Sequence, residues 1–204
     1  ATGKPLIKVN HIAGHIYANK FVGKFKFPLL CLVVSGGHTE IVYMDKEYSF
    51  KKIGSTLDDS IGEAYDKVAR VIRIPYPGGP LMDKKSNLGK HIYNLPIPKD
   101  DSSYDFSFSG IKSAVINLVH NEKQRSHEIN KEDLATSFQE TAVGILVKKT
   151  KRAVKQYGVK QLLVAGGVSA NSGLRRALDE MSKDLNIELL KPEIKYCTDN
   201  AAMI

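Results

Sequence analysis

Residues 27–53 carry the sequence FPLLCLVVSGGHTEIVYMDKEYSFKKI, in which apolar runs are separated by short polar turns. The first run, residues 27–34, is bounded by glycines and predicts a buried strand. Residues 40–44 and 48–53 predict two more strands. Turns this short leave no room for a crossover, so we expect the three strands to pair antiparallel as a meander.

A helix is expected directly after this meander. Thr56 has the features of an N-cap, with Asp59 as a variant of the capping box, and apolar residues recur behind it at helical spacing. Because proline clashes with the preceding helical turn, the helix is expected to end near Pro75. Beyond it the sequence predicts a loop at 76–79, an irregular stretch at 86–103, a short strand at 106–108 and a helix at 111–119.

The second half of the chain alternates helix and strand. Asn130 is expected to cap a long helix that Gly158 ends, and residues 161–165 predict a buried strand. A Gly166-Gly167 turn then leads into a helix over residues 174–185. A meander followed by alternating strand and helix predicts an α/β fold, with a mixed sheet flanked by helices.

Composition narrows the class of protein. Hydrophobic residues make up 42% of the 204 residues and charged residues 25%, which excludes disordered, collagen-like and disulfide-scaffold chains. The longest apolar run is eight residues, whereas a membrane span needs roughly 20. With no visible secretory signal and only two cysteines, we expect a reducing, cytoplasmic location and no membrane partner. The net charge of +8 favours a polyanionic partner, nucleic acid above all.

Two histidines, His11 and His15, stand four residues apart. On a helix their rings share one face and can hold one metal ion, although two half-exposed histidines on an ordinary helix also explain the pattern. A third ligand, usually a carboxylate, has to come from elsewhere. Asp199 is the best free candidate, with helix capping as its alternative role. A zincin-type protease is excluded because Ile12 stands where that class needs a glutamate.

Two glycine turns are candidate ligand sites. At Ser35-Gly36-Gly37 the missing Cβ atoms let backbone N–H groups converge on an anion, though Gly-Gly also serves in an ordinary hairpin turn. Residues 165–171 join a buried strand to a helix, which is where open α/β folds bind nucleotides. Asn171 in this turn offers an amide that can read an adenine edge.

Charged helix faces are the remaining candidates. Asp59, Glu63, Asp66 and Arg70 fall on one face of the first long helix, which indicates a solvated face with an internal ion pair. Alternatively, Asp66 accepts hydrogen bonds from sugar hydroxyls. The turn at 77–80, with Asp83 behind it, either approaches the same ligand or is a plain turn.

A further helix face is basic, and it is either solvated or in contact with phosphates. Its members are Lys148, Lys149, Lys151, Arg152 and Lys155.

The order of these segments resembles that of a known family. The series is Asn-His-x-x-Gly-His from Asn10, Ser-Gly-Gly-His-Thr from Ser35, Asp-Asp-x-x-Gly-Glu-Ala-Tyr-Asp-Lys from Asp58, Tyr-Pro-Gly-Gly-Pro from Tyr76, Phe-Ser-Phe-Ser-Gly-Ile-Lys from Phe106, Gly-Gly-Val-Ser-Ala-Asn from Gly166 and Asp-Asn-Ala-Ala-Met-Ile from Asp199. Along nearly the whole chain it resembles the bacterial branch of the TsaD family. These are the tRNA N6-adenosine threonylcarbamoyltransferases, formerly described as O-sialoglycoprotein endopeptidases.

The resemblance implies an actin-like ATPase (ASKHA) fold, in which two α/β lobes close on a nucleotide. Residues 27–204 would be mainly the second lobe, with an inserted loop and helix region around 75–130. Residues 1–26 would be a helical segment that carries the histidine pair. The family's first lobe and its closing C-terminal helix have no counterpart in the sequence, so we expect these 204 residues alone to be inactive.

The resemblance also implies roles for individual residues. His11, His15 and Asp199 would hold one divalent metal ion, iron(II) or zinc. The residues implied along the phosphate side of the substrate, threonylcarbamoyl-AMP, are Val33, Val34, Ser35, Gly36 and Gly37. Those implied at its adenosine are Asp66, Gly79 and Asp83 at the ribose and Asn171 at the adenine.

In the implied reaction, the threonylcarbamoyl group passes to N6 of the adenosine just 3′ of the anticodon, in tRNAs that read codons beginning with A. The implied partners are tRNA and TsaB-like and TsaE-like proteins. Two alternatives belong to other classes of protein. A non-catalytic actin-like partner subunit should lack the metal triad, and a metallopeptidase would need a general base beside its histidines.

Overall fold

The computed structural model describes residues 3–5 and 7–204. Its strands are β1 (Leu29–Val34), β2 (Thr39–Met44), β3 (Lys51–Ser55), β4 (Gln161–Ala165) and β5 (Glu188–Leu190). They form one mixed sheet in the order β3-β2-β1-β4-β5. β1 pairs antiparallel with β2 and parallel with β4, so strand direction changes at this central strand.

Helices cover both faces of the sheet. They are α1 (His11–Tyr17), α2 (Ile61–Val71), α3 (Gly78–Ser86), α4 (Ser109–Gln124), α5 (Lys131–Tyr157) and α6 (Ser172–Leu185). Short 3-10 turns occupy Ala18–Phe21, Gly167–Ala170, Ile194–Tyr196 and Ala201–Met203. Within the described part of the chain, no helix is long and apolar enough to cross a membrane.

β1 is buried on both faces because alternate side chains enter different hydrophobic clusters. Leu30 and Leu32 join the larger cluster with α2, α5 and α6. Leu29 and Cys31 join a smaller cluster, to which α1 contributes Ile16. Helix α1 thus packs directly on the sheet, while the proposed division of the chain after residue 26 stays a prediction.

The antiparallel meander, the strand at 161–165 and the mixed α/β class are confirmed. The third strand starts later than predicted, at Lys51 rather than residue 48, because Tyr48 has a φ of +62° and belongs to the turn. The strand predicted at 106–108 is wrong, since only one bridge, between Thr56 and Phe106, forms there. β5 and α3 were not predicted.

The N-cap predicted at Thr56 is wrong. Ser60 caps α2: its Oγ accepts a hydrogen bond from Glu63 N at 3.2 Å, and Glu63 Oε2 accepts one from Ser60 N at 3.0 Å. Thr56 instead donates its hydroxyl to the Asp59 carbonyl at 2.8 Å. The loop predicted at 76–79 is also shorter than expected, because α3 already begins at Gly78.

Both predicted ends of α5 are confirmed. Asn130 Oδ1 accepts a hydrogen bond from Asp133 N at 3.0 Å, and Gly158 ends the helix with a φ of +61°. The start of α4 is capped from a distance instead. Asp58 accepts hydrogen bonds from Ser107 Oγ at 2.5 Å, Phe108 N at 2.8 Å and Ser109 Oγ at 2.7 Å. The Asp-Asp and Phe-Ser-Phe-Ser motifs therefore contact each other.

Three cations of the basic face of α5 bind the chain's own inserted loop. Lys149 is buried, lies 3.2 Å from Asp101 Oδ1 and donates to Ser103 O at 3.0 Å. Arg152 Nη1 donates to Asp101 O at 2.6 Å, and Lys148 pairs with Asp100 at 2.5 Å. These three cations hold the loop against α5, and contact between the basic face and phosphate stays a prediction.

Candidate metal centre and nucleotide site

Helix α1 presents its two histidines to one point. Asn10 starts the helix by accepting a hydrogen bond from Ala13 N at 3.0 Å, and the rings of His11 and His15 then lie 4.7 Å apart. Asp199, from the far end of the chain, places Oδ1 3.1 Å from His15 Nε2 and 3.5 Å from His11 Nε2. One ligand atom from each residue lies within 4.8 Å of the others.

The three residues fit a divalent metal ion. His15 is only 2% exposed, and among the residues described its Nδ1 has no hydrogen-bond partner, while its Nε2 lies 3.1 Å from Asp199 Oδ1 without the alignment of a hydrogen bond. Burial and the neighbouring His11 lower the pKa of His15, which favours the neutral imidazole that metals bind. Metal–ligand bonds of about 2.0–2.2 Å place neighbouring ligand atoms roughly 3–3.5 Å apart, and the two distances from Asp199 Oδ1 fall in this range. The ion itself stays a prediction.

The segment that carries Asp199 is fixed to α6 by one arginine. Arg175 Nη1 donates to Ser169 O at 3.0 Å, and Nη2 donates to Pro192 O at 3.1 Å. Cys197 is buried beneath this bridge. Arg175 therefore links the turn after β4 to the segment that ends in the third candidate ligand.

The Ser35-Gly36-Gly37 turn follows β1 and faces open space. Ser35 Oγ accepts hydrogen bonds from Gly37 N at 3.4 Å and His38 N at 3.0 Å, so these two donors bond to the chain's own hydroxyl. A Cβ built on Gly36 or Gly37 meets no atom within 4 Å. On its inner side the turn contacts the start of α2, where Ser60 Oγ donates a hydrogen bond to Gly36 O at 2.6 Å. The turn is thus braced by α2 and accessible on its outer side.

The two predicted glycine turns touch each other. Gly166, which has a φ of +91°, packs so closely that a Cβ built on it would lie 2.4 Å from Val34 O. A Cβ built on Gly167 would lie 3.6 Å from the methyl carbon of Thr198, the residue before Asp199. Both turns and the candidate metal ligands therefore lie side by side at the carboxyl ends of the central strands β1 and β4.

The side chains of Val33 and Val34 do not face these turns. Both are fully buried and enter the two hydrophobic clusters. A contact between either residue and a ligand is therefore limited to backbone atoms.

The residues predicted at the ribose already bind protein groups. Asp66 Oδ1 accepts a hydrogen bond from Gly78 N at 2.8 Å. Asp83 accepts bonds from the backbone N and the hydroxyl of Ser172, at 2.9 and 2.8 Å. Gly79 lies in the first turn of α3, with no atom within 4 Å of a built Cβ. Their contact with a ribose stays a prediction.

The ion pair expected within the acidic face of α2 does not form. Asp59 pairs with Lys67 and Lys112 instead, and Glu63 serves in the capping box. Arg70 has no carboxylate within 4.0 Å in the described ranges.

Asn171 is engaged within the protein. Its Oδ1 caps α6 by accepting a bond from Leu174 N at 2.8 Å, and its Nδ2 donates to Gln139 Oε1 at 2.7 Å. Gln139 Nε2 in turn donates to Asp83 Oδ1 at 3.0 Å. Both ends of the Asn171 amide are therefore bonded, and its role at an adenine stays a prediction. Gln139 was missed because it stands on the buried face of a long helix, where its spacing resembles that of a core residue.

Solved structures of similar shape support the fold class. The chain matches full-length HypF in its phosphate- and nucleotide-bound form, with a TM-score of 0.72 at 15% identity, over 100% of this chain and 36% of that one. It also matches the activator of 2-hydroxyisocaproyl-CoA dehydratase from Clostridium difficile, with a TM-score of 0.54 at 16% identity, over 91% of this chain and 62% of that one. At such low identity the likeness shows the fold alone, which is the actin-like ATPase fold.

Closer relatives share the sequence as well. A protein from Geobacillus thermodenitrificans is 57% identical over 100% of this chain and 60% of its own length, and one from Bacillus cereus is 59% identical over 98% of this chain and 59% of its own. Both are named tRNA N6-adenosine threonylcarbamoyltransferase. The chain thus spans about 60% of the length of the curated relatives it matches. Because the family model described as TsaD, tRNA N6-adenosine threonylcarbamoyltransferase, matches residues 1–204, the chain belongs to the TsaD family.

Proposed function

We propose that the protein transfers the threonylcarbamoyl group from threonylcarbamoyl-AMP to N6 of adenosine in tRNA. The observation that carries this proposal is the grouping of His11, His15 and Asp199 beside two glycine turns. The carboxyl ends of β1 and β4 thereby offer a metal-ligand set beside two glycine turns, one of which has open space on its outer side for a nucleotide phosphate. The names of the relatives supply the substrate class.

The residues at these strand ends act by positioning and by charge stabilisation. The N6 amine is a poor nucleophile because its lone pair is delocalised into the purine ring, so catalysis rests on orientation and electrostatics. The turns at Ser35 and Gly166 hold the adenylate phosphate, which leaves as the acyl group is transferred. A divalent ion, iron(II) foremost and zinc as the alternative, supplies Lewis-acid chemistry when the triad binds it.

The partners follow from the same proposal. The polyanionic substrate is tRNA, and the net charge of +8 suits it. TsaB-like and TsaE-like proteins are the proposed protein partners, and the cytoplasm is the proposed location.

Nucleoside mass spectrometry of cellular tRNA tests the function. Deleting the gene should remove threonylcarbamoyladenosine, and restoring the wild-type gene should return it. The His15→Ala gene should fail to do so, whereas His120→Ala, an exposed histidine on α4, should succeed. Unchanged modification in the deletion strain would refute the transferase function. Full restoration by His15→Ala would refute the role of the triad.

A further inference from the structure

We propose that Tyr76, Arg70 and Arg73 form a contact site for single-stranded RNA, in which one base of the tRNA anticodon loop stacks on Tyr76. The inference rests on the proposed function and adds to it a surface that holds the RNA substrate. The site consists of the C-terminal end of α2 and the loop that leads into α3.

Tyr76 is an aromatic ring presented to solvent. Its exposed fraction is 84%, the highest among the large hydrophobic side chains that the structure describes. Pro75 and Pro77 flank it, and each proline ring restricts its own backbone φ. The tyrosine therefore loses little backbone freedom when a ligand binds. A ring of this kind offers a face on which any base can stack.

The loop that carries Tyr76 is fixed to α2 at both ends. Ile74 N donates to Ala69 O at 2.8 Å, and Gly78 N donates to Asp66 Oδ1 at 2.8 Å. A Cβ built on Gly78 would lie 2.5 Å from Ala69 Cβ, so the loop lies directly on the helix. The ring is thus held by a rigid support.

One arginine without an acidic partner among the described residues lines a cavity with this ring, and a second stands three positions before the tyrosine in the sequence. A cavity of about 210 Å³ is lined by Tyr76, Arg70, Asp66, Ile74, Pro75 and Gly78. Arg70 and Arg73 are exposed, and neither has a carboxylate within 4.0 Å in the described ranges. The cations of α5 differ, because Lys148, Lys149 and Arg152 bind the inserted loop. Arg70 and Arg73 therefore remain available for the phosphates on either side of a stacked base.

The position of the site favours the RNA substrate. Asp66 holds Gly78 beside the cavity and is also the carboxylate proposed at the ribose of the adenylate. A base on Tyr76 therefore lies next to the bound acyl donor, where the accepting adenosine has to come. The adenylate also consists of a base and a phosphate and could bind the same surface. The test therefore measures binding of RNA and of AMP separately.

The test measures binding of a labelled, unmodified anticodon stem-loop by fluorescence anisotropy, with AMP binding measured separately. Because Tyr76→Ala removes the stacking surface, it should weaken stem-loop binding by about fivefold to 100-fold. Tyr76→Phe keeps an aromatic ring, so its affinity for the stem-loop should stay within about twofold of the wild type. Tyr48→Ala, at a tyrosine that is 75% exposed elsewhere on the surface, is the matched control and should bind normally. Arg70→Ala should remove one phosphate contact, so the slope of log K against the logarithm of the salt concentration should become less steep by about 0.7.

The outcomes separate this inference from the proposed function. If wild-type protein binds the stem-loop and Tyr76→Ala binds it equally well, the RNA site at Tyr76 is wrong and the proposed function stands. Loss of AMP binding with unchanged stem-loop binding would assign Tyr76 to the adenylate and also overturn the inference. No stem-loop binding by the wild-type protein would overturn both. Equal melting temperatures of the variants are expected because the ring is exposed.

Discussion

Gly62 is the residue at which α2 contacts the Ser35-Gly36-Gly37 turn, and replacing it tests whether this contact shapes the site. A Cβ built on Gly62 lies 2.6 Å from Ser35 O and 2.8 Å from Gly36 Cα. Both are backbone atoms, so neither can move aside by a side-chain rotation. Gly62→Ala therefore has to separate the helix from the turn.

The expected loss of stability follows from the contacts that this separation weakens. Separation weakens the hydrogen bonds from Gly62 N to Ser35 O, at 3.3 Å, and from Ser60 Oγ to Gly36 O, at 2.6 Å. Each is worth about 0.5–1.5 kcal/mol, overpacking costs about 1–3 kcal/mol, and the better helix propensity of alanine returns about 1 kcal/mol. We expect the free energy of unfolding to fall by about 1–5 kcal/mol.

Urea unfolding followed by circular dichroism measures this change, with Gly144→Ala as the matched control. Gly144 is an exposed glycine of α5 with no atom within 4 Å of a built Cβ, so its replacement should stabilise the protein by up to about 1 kcal/mol. AMP binding, measured by calorimetry, should weaken in Gly62→Ala alone. If Gly62→Ala is as stable as the wild type, or gains stability as Gly144→Ala does, the close contact between α2 and the turn is wrong.

Further predictions concern the metal ligands, the open turn and the cap of α4. Metal analysis of purified His15→Ala should show loss of the divalent ion that His120→Ala keeps, and equal content in both would contradict the metal site. Gly36→Val should weaken adenylate binding at least about tenfold, or about 1.4 kcal/mol, because its side chain enters the open space beside the turn; unchanged calorimetry would count against an anion site. Asp58→Ala should cost about 1–3 kcal/mol at pH 7 through lost hydrogen bonds to α4. Burial opposes ionisation of Asp58, but bonds from Ser107, Phe108 and Ser109 outweigh it and hold its pKa below the usual value. The stabilisation is therefore present above about pH 4 and lost as the pH falls through the lowered pKa, so a difference between variant and wild type that persists in acid would contradict this account.

Elements with strong local signals could be predicted from the sequence. The buried run of β1 and the caps of α5 at Asn130 and Gly158 depend on a few neighbouring residues. The cap of α2 was assigned wrongly, although Ser60-x-x-Glu63 is a capping box in the sequence itself. Thr56 and Asp59 have the same spacing, but in the structure Asp59 pairs with Lys67 and Lys112 and the capping bonds form between Ser60 and Glu63.

The candidate site was predictable where the family motifs coincide with local chemistry. The spacing of His11 and His15 follows from one turn of helix, whereas the approach of Asp199 depends on how α1 packs against the segment after β5. The bonds that Asn171 makes through Gln139 to Asp83 depend on contacts between α3, α5 and α6. No pattern within one element indicates them, so the sequence could name Asn171 without showing that its amide is engaged.

The place of β1 between an antiparallel and a parallel neighbour also bears on how the protein folds. Leu32 pairs on one side with Ile41, which is nine positions away in the sequence. On the other side it pairs with Val164, at a separation of 132 positions. Contacts between residues distant in sequence form slowly, although the entropy of closing a longer loop grows only as its logarithm. We therefore expect the meander to form early and β4 to dock late. Because the Gly166 turn follows β4, we expect the two turns to meet only after that late step, so the proposed binding of a nucleotide there would report that β4 has docked.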